Sequence, residues 1–244
     1  MQSLRSLLTD AETDPILPAG DEERFSGYAV MSVPFESGHL LGLRRFPLTS
    51  IGPGYTSVWL RDPEGSWVIY TTIDPALSCP RYFGAAVSAT SIHDIDVSWT
   101  GDQSFTVTIG DDVDLSWRLQ ISATPMTRLM SGAMAMVPHP AWHNTRFLSA
   151  MGAVAGPALR AGRMGLTGVT PNRQWFRAGP KQIWAVDEST ASLAGTDLGR
   201  IAAPSPQSRL GDFWMPQRGI LMLGSASFSP FDPDRHYGGT TAAA

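Results

Sequence analysis

The stretch "DVDLSWRLQIS" constrains the fold of this chain more than any other. Val113, Leu115, Trp117, Leu119 and Ile121 fall on one face, while Asp112, Asp114, Ser116, Arg118 and Gln120 fall on the other. A strict period of two over this length is the pattern of a half-buried strand and is incompatible with a helix. Its neighbours "QSFTVTIG" and "HDIDVSWT" connect through "GDD" and "GDQ", so the three predict an antiparallel meander with one wet face. Upstream, "GYAVMSVPF", "HLLGLRRF", "GYTSVWLRD" and "SWVIYTTI" are each of strand length and are separated by "ESG", "SIGPG" and "DPEG". With 24 Gly and 19 Pro in 244 residues, the chain has the turn chemistry that many short strands need.

Alternation stops at "ATPM". Thr124 followed by Pro125 predicts a helix N-cap with proline at the first helical position. A Met-, Ala- and Gly-rich helical segment follows as far as Ala161, interrupted at Pro138–Pro140 and again at Pro157. Strand patterns then return in "RMGLTGV", "RQWFRA", "KQIWAVDES" and "RGILMLGSASF". The expected organisation is a lead-in over 1–24, one β-rich domain over 25–230 with a helical insertion over 125–161, and a flexible tail over 231–244. The fold class is mainly β, an antiparallel barrel or sandwich.

Charge and composition narrow the function classes. A net charge of −4 with no basic run argues against nucleic acid. The one cysteine, Cys79, has no partner for a disulfide or a zinc site, and the N-terminus lacks an apolar signal-peptide core, so a cytoplasmic location is expected. The uncharged run Leu129–Thr145 is too short and too interrupted to span a bilayer. Its Met- and Trp-bearing face predicts at most transient contact with a membrane surface. Phosphate-binding glycine loops and a nucleophile elbow are absent; "GSASF" lacks the second glycine.

The residues left to carry chemistry are few. His93 shares a strand face with Ile95, Val97 and Trp99, and His39 aligns with Leu41 and Leu43; burial would suit either to acid–base work. Arg173 and Arg177 stand close in sequence to Trp175 and Trp184, with Trp214 further on, a pairing that can anchor a carboxylate or stack a conjugated ligand. Trp59, Trp117, Met134, Trp142 and Met151 complete the expected apolar lining, Met being suited to irregular ligands. His139 and His143 are four apart, but Pro140 between them makes His139 a cap, and no metal site or cofactor is assigned. Lys181, the only lysine, shares a face with Ile183 and Ala185, where an apolar pocket would let it form a Schiff base. Acetoacetate decarboxylases, β-barrel-like enzymes of similar length, work in that way; the motifs of that family are not recognisable here.

The meander ending "LSWRLQISATP" and the later Trp-rich strands resemble the lipocalin-like proteins of the carotenoid-hydratase and hydroxyneurosporene-synthase type, over residues 90–125 and 165–228. The resemblance implies a lipocalin-like barrel around an apolar cavity. Three functions stay open. The first is a cofactor-independent cyclase, isomerase or hydratase acting on a hydrophobic polyketide, terpenoid or acyl molecule. The second is a non-catalytic carrier of a lipid or pigment, and the third a Schiff-base decarboxylase using Lys181.

Overall fold

A computed structural model describes residues 3–110 and 112–237. The chain begins with α1 (Leu4–Thr13), followed by β1 (Glu23–Pro34), β2 (Leu40–Thr49), β3 (Tyr55–Arg61), β4 (Trp67–Thr71) and the short α2 (Pro80–Phe83). Next come β5 (Ala89–Ile92), β6 (Ile95–Trp99), β7 (Ser104–Ile109), β8 (Leu115–Ser122), α3 (Pro125–Ala135) and α4 (Thr145–Ala158). The last elements are β9 (Thr167–Val169), β10 (Trp175–Leu193), β11 (Thr196–Asp197), β12 (Arg209–Leu210), β13 (Phe213–Trp214) and β14 (Ile220–Phe228). The protein is mainly β, as its alternation predicts, and the helices of the expected insertion occupy 125–158.

One sheet dominates, with strand order β5-β4-β3-β2-β1-β14-β10-β8-β7-β6, and β9 and β11 added to β10. Every pairing in it is antiparallel except β4 with β5. The outermost strands of that order, β5 and β6, are separated in sequence only by His93 and Asp94, so the sheet must curl until its ends meet. The core shows the same curl. Leu41, Leu43 and Val58 of β2 and β3 share one buried cluster with Phe105, Val107, Trp117 and Leu119 of β7 and β8. Helix α1 adds Leu4 and Leu8 to it, and Ser3 caps that helix by accepting from the Ser6 amide at 3.1 Å.

β3 is buried on both faces. Val58 and Leu60 point into the curl, while Tyr55 and Trp59 join a second cluster with Phe25, Phe83, Phe176, Phe213 and Phe228. This explains why "YTSVWLR" alternates less cleanly than β8, whose odd positions are buried and whose exposed side carries Ser116 and Arg118.

Thr124 caps α3, its hydroxyl accepting from the Thr127 amide at 3.2 Å, and Pro125 opens the helix. Thr124→Ala should lower stability by about 1 kcal/mol, read as the urea midpoint at unchanged slope. Helix α3 lies against the middle of β10, where that strand has no neighbour on one edge. β8 pairs with β10 from Ala185 onward and β9 pairs with Trp175–Arg177. In the gap the Ser131 hydroxyl bonds the Ile183 amide at 3.1 Å. Met134, Ala155, Leu159, Ala161, Ile183 and Ile220 form the third cluster. Helix α4 packs closely on the chain that follows it: a Cβ at Gly152 would stand 2.6 Å from the Met164 carbonyl oxygen.

Part of the expected tail is anchored. The Arg81 guanidinium lies 4.8 Å over the Phe231 ring, and the Tyr237 amide donates to the Asn172 carbonyl. Residues 238–244 lie outside the described residues.

Candidate functional site

The site is built on β2. In "LLGLRRF" alternate residues face opposite ways, so the two adjacent arginines must part. Arg45 turns toward α1, where its Nε lies 2.8 Å from Glu12 Oε1. Arg44 turns to the other face and is 4% exposed. A bulge in β1 receives it. Val30 pairs with Leu43 and Val33 with Leu41, so β1 carries one extra residue there. The guanidinium Nη1 donates to the Val30 carbonyl at 2.7 Å and the Leu43 carbonyl at 2.9 Å, and Nη2 donates to the Met31 carbonyl at 3.2 Å. Gly42 leaves room for this; a Cβ there would stand 3.2 Å from the Met31 carbonyl oxygen.

Three of the five guanidinium N–H groups are thereby used, and the edge formed by Nε–H and the second Nη2–H has no protein acceptor among the described residues. No carboxylate among them pairs with Arg44 either. Its charge rests on aromatic faces instead, with Cζ 4.6 Å from the Trp59 ring centre and 5.7 Å from that of Phe213. Burial brings the Arg44 pKa down to about 10, opposed by Cys79 and Tyr55, so it still carries its charge at neutral pH.

Arg44 lines a cavity of about 100 Å³ with Met31, Tyr55, Trp59, Cys79, Phe213 and Trp214, among other residues. Most of the lining is apolar and aromatic. Four polar groups stand out in or beside it. The Trp59 Nε1–H is buried without a partner among the described residues. The Tyr55 hydroxyl and the Cys79 Sγ are 3.3 Å apart, with the Ser57 hydroxyl 3.5 Å from the same sulfur. Burial first, then the neighbouring Cys79, raises the Tyr55 pKa well above its ordinary 10.0. A volume of this size is on the order of one small ring, as in engineered apolar cavities that hold benzene. It is smaller than the polyketide- or terpenoid-sized guest expected from sequence.

A second polar cluster fixes the cavity's far wall. Tyr82 stacks on Phe228 at 3.7 Å between ring centres, and its hydroxyl donates to Glu23 Oε2 at 2.6 Å. Arg81 and Gln174 donate to the same carboxylate, at 2.6 Å and 3.0 Å. Burial pushes the Glu23 pKa up, but the hydrogen bonds from Arg81, Tyr82 and Gln174 outweigh it and hold the carboxyl below its usual range.

The residues singled out from sequence are dispersed. Trp59 and Trp214 line the Arg44 cavity. Met134, Trp142, Arg177, Lys181, His139 and His143 line an outer cleft of about 720 Å³ beside α3, which shares Ala178, Pro180 and Ser225 with the lining of the Arg44 cavity. Arg177 there pairs with Glu22, and Lys181 sits exposed at a bulge of β10 between Pro180 and Gln182. His139 and His143 belong to one 3-10 turn, with ring centres 5.1 Å apart. Among the described residues no three metal-ligating side chains converge. Met151 packs in the helical cluster, Trp184 and Trp117 in the core of the curl, and the Trp117 Nε1 donates to Ser189 at 2.8 Å. Trp175 is exposed, as is Arg173, whose guanidinium lies 4.4 Å over Tyr237. His39 sits in the β1–β2 turn beside Ser37, and His93 at the seam of the curl beside Ser91 and Tyr70. Neither histidine lines a cavity described above.

No protein-family model matches the chain, and no curated protein matches it in sequence. Its shape is similar to acetoacetate decarboxylases. The enzyme from Legionella pneumophila shares 10% identity at a TM-score of 0.39, over 95% of each chain. A second acetoacetate decarboxylase structure also shares 10% identity, at a TM-score of 0.40, over 93% of this chain and 92% of that one. These findings overturn the resemblance to carotenoid hydratases. The meander and Trp-rich strands that carried it are a pattern that many curled sheets produce. A likeness this distant assigns no residue a role. Among the described residues no helix is long and apolar enough to cross a membrane.

Proposed function

We propose that the protein takes a short, apolar carboxylate into the Arg44 cavity and acts on it as a cofactor-independent enzyme of the isomerase or lyase kind. The observation that carries this reading is a buried, charged guanidinium with one donor edge unused and no carboxylate partner. A charge desolvated without a counter-ion is costly, and a ligand carboxylate on the free edge would offset that cost through two parallel hydrogen bonds. The aromatic walls select an apolar body, and the small volume selects a short one. Tyr55 and Cys79 are the protic pair beside the guanidinium, so they are the groups assigned to move a proton.

Cys79 is the only cysteine, which makes the test simple. Iodoacetate and iodoacetamide differ in charge and little in size. Guided by Arg44, iodoacetate should alkylate Cys79 faster than the amide, the thiolate sulfur displacing iodide, and butanoate should protect. Equal rates, or faster reaction with the amide and no protection, would remove the carboxylate site. Catalysis is read separately, as deuterium entering but-3-enoate in D₂O, with loss expected in Tyr55→Phe and Cys79→Ala. Among the described residues lining the cavity there is no Asp, Glu, His or Lys, which favours the carrier reading as the runner-up. Protection by butanoate without deuterium entry would decide for the carrier. Lys181 lines only the outer cleft, so a keto acid with borohydride should leave it unlabelled. A trapped imine would move the reaction there.

A further inference from the structure

From Leu115 to Val186 the chain carries eight of its eighteen basic residues and none of its twenty-two acidic ones. Of those eight, only Arg177 pairs with a carboxylate among the described residues. The same stretch holds α3 and α4, whose outward faces are unusual. On α3 the buried side is marked by Thr127 and Met134. The opposite side presents Met126, Leu129, Ala133 and Met136, with Leu129 67% and Met136 79% exposed. On α4 the buried stripe is Leu148, Gly152, Ala155 and Gly156, while Val154 is 69% exposed. A helix apolar on both its inner and outer sides is ordinarily covered on both. Arg128 and Arg146 are exposed on these two helices, and Lys181 lies across the outer cleft from α3.

We infer that α3 and α4 dock on an anionic lipid surface, their outward apolar side chains entering the headgroup boundary and the flanking cations facing lipid phosphates and carboxylates. The charge decides the occupant. A second copy apposed through this face would gather Arg128, Arg146 and their equivalents into one interface, with no carboxylate on either helix to neutralise them. A bilayer with anionic headgroups supplies both the apolar phase and the opposite charge. Helix α3, about 16 Å long at 1.5 Å per residue, lies on such a surface and does not cross it.

The test is flotation of the whole protein with vesicles of phosphatidylcholine alone or phosphatidylcholine mixed with phosphatidylserine. Binding is expected only to the mixed vesicles, decreasing as salt rises. Leu129→Glu/Met136→Glu, at two exposed positions, should weaken it about tenfold or more with an unchanged melting temperature. Failure to float with anionic vesicles at low salt, or equal flotation of the double variant, overturns the inference. So does a dimer in light scattering that this variant dissolves, since a second copy would then be the occupant. Arg128→Ser separates the charge contribution and should lower binding to the mixed vesicles.

Discussion

Arg44→Met is expected to lower affinity for short carboxylates about 100-fold or more, on the scale of the 2–5 kcal/mol that truncating one partner of a buried, hydrogen-bonded charge pair costs. The measurement is calorimetric or competitive titration with butanoate, set beside the neutral butanamide. The amide should bind wild type weakly and the variant no worse, because the aromatic walls are unchanged. Arg44→Lys keeps a charge but not the planar edge, so it should recover only part of the affinity. The same variants separate function from stability. Methionine removes a desolvated cation, which stabilises, but strands the carbonyls of Val30, Met31 and Leu43, which destabilises by about 1–3 kcal/mol for each group left truly unsatisfied. These contributions oppose each other, so a modest fall in melting temperature beside a large loss of binding is the expected pattern. Unchanged butanoate affinity in Arg44→Met would end the carboxylate reading.

Glu23→Ala is expected to cost about 3–5 kcal/mol of stability, the largest effect of any single change to the far wall. Its carboxylate is the common acceptor for Arg81, Tyr82 and Gln174, and it ties β1 to α2 and to the turn entering β10. Removing it takes away the acceptor that a guanidinium, a phenol and an amide share, and leaves the Tyr82 hydroxyl without its partner. Tyr82 lines the cavity, so ligand affinity should fall as well. Glu23→Gln keeps the shape but turns an amide donor toward other donors and should lie between. The pH dependence has a fixed sign. The folded pKa of Glu23 lies below its ordinary 4.5, so its contribution is fully present above that value and is lost as pH falls through the folded pKa. Denaturation series at neutral pH and at pH 3 should therefore differ less in Glu23→Ala than in wild type. An equal acid loss in both would place the acid-sensitive group elsewhere.

Several features needed only neighbours in sequence. The alternation of β8, the Thr124–Pro125 helix start and the return of strands after the helices are each set within a few residues by side-chain period and backbone chemistry. They were legible for that reason. Arg44 does not stand out from local pattern, although one signal is present: two consecutive arginines inside an apolar strand cannot both reach water. Recognising it as a site required knowing that β2 is buried on both faces, which its neighbours β1 and β3 decide. The histidines, expected from a shared apolar strand face, and the arginines, expected from nearby tryptophans, scatter because neither signal says which core or cleft the side chain meets.

Sequence by itself determined the class, mainly β with a capped helical insertion, because strand and helix periods are local properties of the chain, whereas the curl of one sheet is not. Only tertiary structure decided the site. Arg44, Tyr55, Trp59, Cys79 and Phe213 come from four separate segments, and they meet because a bulge in β1 frees carbonyls to hold the guanidinium while the sheet's second face is closed over by α2 and the β12–β13 hairpin. A bulge depends on the register between two strands, and register is a property of the pairing and not of either strand alone.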